Sequence, residues 1–133
     1  MTATRRPVRV VFLGSGDSVS ARGSHQASYL VQTPDTSFLL DCGAMVLASM
    51  KRDGHDPDAI DTVLLSHLHG DHFAGLPFLF IEYTYERPRR RPLRIVGPPD
   101  TEERVRALLR ANYKDLADKP SPFALEFLEV EPG

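Results

Sequence analysis

Apolar and polar positions along this chain alternate in short runs, and the spacing within each run predicts strands and helices in turn. Val8 to Leu13 is rich in β-branched residues and closes on Gly14-Ser15-Gly16-Asp17, so a strand running into a turn is expected. Ser28 to Thr33 and Ser37 to Asp41 are two further β-like runs joined across Pro34-Asp35, the pattern of a hairpin. Ala44 to Arg52 has helix-favouring composition with Gly54 as its stop, and Val63 to Ser66 reads as a buried strand. Phe73 to Tyr85 is strongly apolar and predicts a helix that tolerates Pro77 only in its first turn. After a strand at Leu93 to Gly97, Asp100 is placed to cap a helix with Glu103 at the capping-box position. Val105, Leu108, Leu109 and Tyr113 then share one helical face, and Phe123 to Val130 alternates as a closing strand. Strands first, then helix and strand in turn, specify an α/β domain.

With 133 residues the chain is long enough for one domain with a modest core and too short for two ordinary ones. A hydrophobic fraction of 41% beside 26% charged residues excludes a disordered or collagen-like chain. The formal net charge of -2 gives no general pull toward nucleic acid or anionic membrane. Cys42 is the only cysteine, so no intrachain disulfide can form and the cytoplasm is the expected location. Residues 1–6 carry basic side chains, but the apolar run that follows is short and interrupted by Arg9, which fits a strand and not a signal peptide. No run approaches the roughly 18 apolar residues of a membrane-spanning helix, so no membrane partner is expected.

The densest chemistry lies in His67-Leu68-His69-Gly70-Asp71-His72, directly after the predicted strand. Alternate residues of an extended chain point the same way, so His67 and His69 can share one metal while Asp71 and His72 lean toward a second. Gly70 permits the bend between the pairs. The carboxyl ends of strands are where α/β folds bring ligands.

This H-x-H-x-D-H pattern is accompanied by Phe12-Leu13-Gly14-Ser15-Gly16, Leu39-Leu40-Asp41-Cys42-Gly43, Leu64-Leu65-Ser66 and Gly75-Leu76-Pro77. Together they resemble the N-terminal half of a metallo-β-lactamase-fold hydrolase of the ribonuclease Z-like branch. The resemblance implies one partial domain over residues 1–133, the N-terminal αβ half of an αββα sandwich. It implies zinc as cofactor, two ions per complete site, with His67 and His69 on one and Asp71 and His72 on the other. His and carboxylate donors suit manganese or iron as well. Asp71 would stand near the attacking water as the catalytic residue. Asp41 would hold a ligating histidine by hydrogen bonding, as metal-bound histidines usually require. The implied substrate is a phosphodiester or other ester-like bond, in a small molecule or RNA.

Relatives of this kind bring another His, a bridging Asp and a final His from the second half of a longer chain, whereas no histidine follows His72 here. Two ligands per metal fall short of the usual three or four. A truncated member is therefore expected, inactive alone or completed by a second copy or a complementary second-half chain, with Glu131-Pro132-Gly133 resembling a cut between elements. A non-catalytic metal- or partner-binding half-domain is the alternative. Arg87, Arg89, Arg90, Arg91 and Arg94, set among Pro88 and Pro92, suggest either an RNA patch or, as favoured here, a solvated connection. His25 and His55 read as loop and turn residues, Cys42 as a small buried residue, and Gly14-Ser15-Gly16-Asp17 as a plain turn without a phosphate-binding helix.

Overall fold

The computed structural model describes residues 7–133; the basic segment 1–6 lies outside the described residues. Six strands form one sheet in chain order: β1 (Arg9–Gly14), β2 (Ser28–Gln32), β3 (Ser37–Leu40), β4 (Thr62–Leu64), β5 (Leu93–Gly97) and β6 (Leu125–Glu129). The first three are antiparallel neighbours and the last three add in parallel. Parallel pairs need a crossover, and helices supply it. These are α1 (Val46–Arg52), α2 (Gly70–Phe73), α3 (Leu76–Ile81), α4 (Thr101–Asn112) and α5 (Lys114–Asp118). No helix among the described residues is long and apolar enough to cross a membrane.

Register and period-two alternation divide the sheet into two unlike faces. Val11, Leu30, Leu39, Val63, Ile95 and Phe127 pair across all six strands in one row. That row packs with Val46 and Met50 of α1, Leu76, Leu79 and Phe80 of α3, and Val105 of α4. Each fully buried aliphatic side chain there contributes about 1.5 to 3 kcal/mol relative to exposure. On the opposite face Phe12, Tyr29, Leu40, Leu64, Val96 and Leu128 form a second paired row. No helix among the described residues covers this row, and Phe12 and Leu128 are 73% and 52% exposed.

The helix expected over Phe73 to Tyr85 is not continuous. Pro77 in a helix already running at Phe73 would lose a hydrogen bond and press its ring on the Phe73 carbonyl. Instead α2 ends at Phe73, the Gly75 amide bonds the Cys42 carbonyl at 3.0 Å, and Pro77 falls in the first turn of α3. Beyond Ile81 the chain widens into a π-helical turn, Glu82–Glu86, closed by the Arg87 amide on the Glu82 carbonyl. The capping box at Asp100 does not form either. Asp100 adopts a left-handed φ of 75° and its side chain caps nothing. The Thr101 hydroxyl bonds the Pro98 carbonyl at 2.6 Å, and the Glu102 amide bonds the Glu129 carboxylate at 3.0 Å. The strand expected over Val63 to Ser66 covers Thr62–Leu64, because Leu65 and Ser66 already turn toward β5 and Asp41.

The arginine segment is neither an open patch nor a merely solvated connection. Arg89 has a fully buried side chain, stacked 4.9 Å from the Tyr83 ring centroid. It donates to the carbonyls of Arg91 and Pro92 at 2.9 and 2.8 Å. Arg87 pairs with Asp56 at 3.0 Å, Arg91 with Asp61, and Arg94 with Glu126 at 3.5 Å.

Candidate metal centre

Strands β3 and β4 end side by side, and the loops leaving them meet at one carboxylate. The Asp41 amide bonds the Leu64 carbonyl at 2.8 Å while its backbone takes a left-handed φ of 59°. A non-glycine residue in that region costs roughly 1 kcal/mol or more and persists where surrounding contacts hold it. Here the contacts are evident. The Asp41 carboxylate accepts the Ser66 amide at 2.8 Å, the Ser66 hydroxyl at 2.8 and 3.0 Å, and stands 2.7 Å from His72 Nδ1. Asp41 is 7% exposed.

The motif loop is anchored from three sides. The Cys42 amide bonds the His72 carbonyl at 2.7 Å, and the His72 amide bonds the His69 carbonyl at 2.9 Å. From α4, Arg104 donates to the Leu68 carbonyl at 3.0 Å while its guanidinium lies over Phe73. Gly75 is required because a Cβ there would stand 2.2 Å from the Gly43 carbonyl oxygen, closing the approach that holds the loop against β3.

Within this frame the four motif side chains are neighbours in a chain of pairwise contacts. The His67 ring lies 4.0 Å from that of His72 and 4.8 Å from that of His69, between centroids. His72 Nε2 stands 3.1 Å from Asp71 Oδ2. His67 therefore sits between the other two imidazoles, beside both His69 and His72. No three His, Cys, Asp or Glu side chains among the described residues converge as a set that could hold a metal ion.

The donor chemistry nevertheless suits a metal. An imidazole nitrogen and a carboxylate oxygen facing each other at 3.1 Å make a two-donor mouth for a cation, and the far nitrogen of that imidazole is already engaged by Asp41. What falls short is the number of donors, since a zinc usually takes three or four from protein.

The remaining candidates stand apart from this cluster. His25 Nδ1 lies 2.6 Å from the Ser49 hydroxyl on α1, and His55 follows α1 with its amide on the Met50 carbonyl. Cys42 is fully buried; burial first, and the Asp41 charge second, push its thiol pKa far up, so it is inert. In the glycine loop Asp17 accepts the Val19 and Ala21 amides, a self-closed turn. Two residues escaped sequence reasoning, Ser66 and Arg104. Ser66 immediately precedes the motif at a strand end, a position that could have marked it; Arg104 reaches the loop from a distant helix and leaves no local sign.

Comparison with known proteins bears on the fold and the family. A family model described as anti-Pycsar protein Apyc1 matches residues 8–131. The ribonuclease Z of Mycobacterium sp. (strain KMS) is 34% identical over 134 residues, which cover 95% of this chain and 47% of that one. Human tRNase Z, short form, superposes with a TM-score of 0.76 at 23% identity, over 93% of this chain and 46% of that one. The metallo-β-lactamase fold protein YhfI of Bacillus subtilis gives a TM-score of 0.69 at 24% identity, over 94% and 46%. The chain spans about a third to a half of the length of the curated relatives it matches, corresponding roughly to their N-terminal half. On these grounds the chain belongs to the family described as anti-Pycsar protein Apyc1, within the ribonuclease Z-like branch of the metallo-β-lactamase fold.

Proposed function

We propose that this chain carries the metal-binding half of a metal-dependent hydrolase that cleaves a phosphodiester or other ester-like bond. His67, His69, Asp71 and His72 are the ligands in this reading, and zinc, two ions in a complete site, is the cofactor. The observation that carries it is the 2.7 Å contact between Asp41 and His72 Nδ1, which turns Nε2 toward Asp71 at 3.1 Å. When bound, the metal supplies Lewis-acid polarisation and makes water nucleophilic at neutral pH. The chain's own residues do the rest. Asp41 holds His72 in one orientation, Asp71 accepts a hydrogen bond from the attacking water and aims it, and the Arg104 contact to Leu68 fixes the loop that presents both. An RNA phosphodiester is one substrate class in view, as the relatives' name, ribonuclease Z, suggests.

Elemental analysis of the purified chain, with hydrolysis of bis-p-nitrophenyl phosphate, tests this. Bound zinc is expected, and any turnover, by the chain alone or completed by a second half, is expected to be abolished by Asp71→Ala. Turnover surviving Asp71→Ala removes its role; a chain that takes up no metal refutes the reading for this polypeptide.

A second reading, a partner-binding half-domain, is favoured by the uncovered row Phe12, Tyr29, Leu40, Leu64, Val96 and Leu128. A sheet face of this kind is stable when another layer lies on it. The fitting occupant is a complementary αβ half, with a second copy as the other candidate. Size-exclusion chromatography distinguishes them: a dimer supports self-association, and a monomer that binds a hydrophobic dye supports an absent second half.

A further inference from the structure

We infer that Ser66 is a positioning residue that sets the tautomer of His67, so that one carboxylate, Asp41, controls two imidazoles at once. The inference rests on the metal-centre reading for its purpose, although not for its geometry.

Proton counting leads to it. A serine hydroxyl has one hydrogen to donate and lone pairs to accept with, whereas an ionised carboxylate only accepts. Ser66 Oγ lies 2.8 and 3.0 Å from the two oxygens of Asp41 and 3.0 Å from His67 Nδ1. Its single hydrogen goes to Asp41, because that carboxylate has none to offer. The contact to His67 is then satisfied only if Nδ1 carries the hydrogen and donates to Oγ. A neutral imidazole has one N–H, so His67 Nε2 keeps its lone pair for a metal. His72 is set the same way by direct contact, with Nδ1 2.7 Å from Asp41. Free histidine in water prefers the opposite tautomer, with the hydrogen on Nε2, so the protein must supply this bias.

Ser66 is itself held still. Its amide donates to Asp41 Oδ1 at 2.8 Å while its hydroxyl donates to the same carboxylate, a two-point attachment that fixes the side chain before any ligand arrives. Threonine keeps the hydroxyl and alanine deletes it, leaving the amide bond and the Asp41–His72 contact intact.

The experiment uses the 15N-labelled, metal-free chain at one pH above the imidazole range, where long-range proton–nitrogen spectra separate N–H from lone-pair nitrogens. Wild type and Ser66→Thr are expected to show the His67 hydrogen on Nδ1. Ser66→Ala is expected to move it toward Nε2 while the His72 signals stay in place. Zinc titration of the same proteins is expected to show Ser66→Ala weaker by about 10- to 100-fold and Ser66→Thr within about threefold of wild type. A His67 that keeps its hydrogen on Nδ1 in Ser66→Ala overturns the inference, as does a His72 that changes along with it, since the effect would then be general loss of Asp41 geometry. Wild type that takes up no zinc refutes the metal-centre reading, while the tautomer result still decides the role of Ser66.

Discussion

Replacing Arg89 by methionine tests how much of this fold hangs on one buried guanidinium. The side chain is fully buried and donates to the carbonyls of Arg91 at 2.9 Å and Pro92 at 2.8 Å, with a weaker contact to Asp58 at 3.4 Å. Burial lowers its pKa from the usual guanidinium value, opposed by Tyr83, yet arginine stays charged at any ordinary pH. Each charged hydrogen bond is worth about 1.5 to 3 kcal/mol, and the stack on Tyr83 about 1 kcal/mol more. Against this stands the cost of burying the charge, several kcal/mol, which methionine would recover. Methionine also fills most of the volume, so the remaining penalty is two carbonyls without donors. The net expectation is a loss of about 2 to 4 kcal/mol, out of about 5 to 15 kcal/mol for a typical domain. Urea denaturation followed by circular dichroism measures it. As a control, Arg94→Ala removes only an exposed 3.5 Å pair with Glu126 and should cost at most about 0.5 kcal/mol. An Arg89→Met protein within about 1 kcal/mol of wild type would show that the carbonyls find water, and the stapling argument would fail.

Two further expectations follow from the same kind of reading. Gly75→Ala places a Cβ 2.2 Å from the Gly43 carbonyl oxygen and should cost about 2 kcal/mol or more, whereas Gly70→Ala meets nothing within 4 Å and should be neutral or slightly stabilising; equal melting temperatures for the two variants would contradict this. For Asp61, burial raises the carboxyl pKa, but hydrogen bonds from Thr36, Arg91 and the Ser37 amide outweigh it and hold the carboxyl below its usual value. A folded pKa below the unfolded one stabilises above the unfolded value, about 4, and that contribution disappears as pH falls through the folded value. Asp61→Asn should therefore melt below wild type near neutral pH, with the gap closing in acid; a gap independent of pH refutes the assignment.

Much of the sheet was legible because it rests on local signals. The β2–β3 hairpin follows from two apolar runs broken by Pro34-Asp35, and β5 from a run with clear flanks. The motif site was legible as residue types at a spacing, and Asp41 only through family resemblance. The misreadings share one cause, which is competition from residues far along the chain. Composition around Phe73 cannot reveal that the Cys42 carbonyl takes the Gly75 amide where the helix breaks, nor can Asp100-Thr101-Glu102-Glu103 reveal that Glu129 takes the Glu102 amide. In sequence Arg89 is one charge among several, and only the path of the irregular segment from Pro88 to Pro92 brings the Arg91 and Pro92 carbonyls around it.

The sheet order, in which each strand pairs with its immediate predecessor in the chain, bears on how the molecule comes into being. As the polypeptide leaves the ribosome, β2 and β3 can join across the tight connection of residues 33–36, and β1 across the longer loop of residues 15–27, before any crossover helix is made. Every later strand then meets an edge that already exists and adds to it with its crossover helix. No strand has to be inserted between two that are already paired. A growing chain of this topology can thus assemble in the direction of synthesis, with the slower parallel pairings of β4, β5 and β6 templated by the finished hairpins.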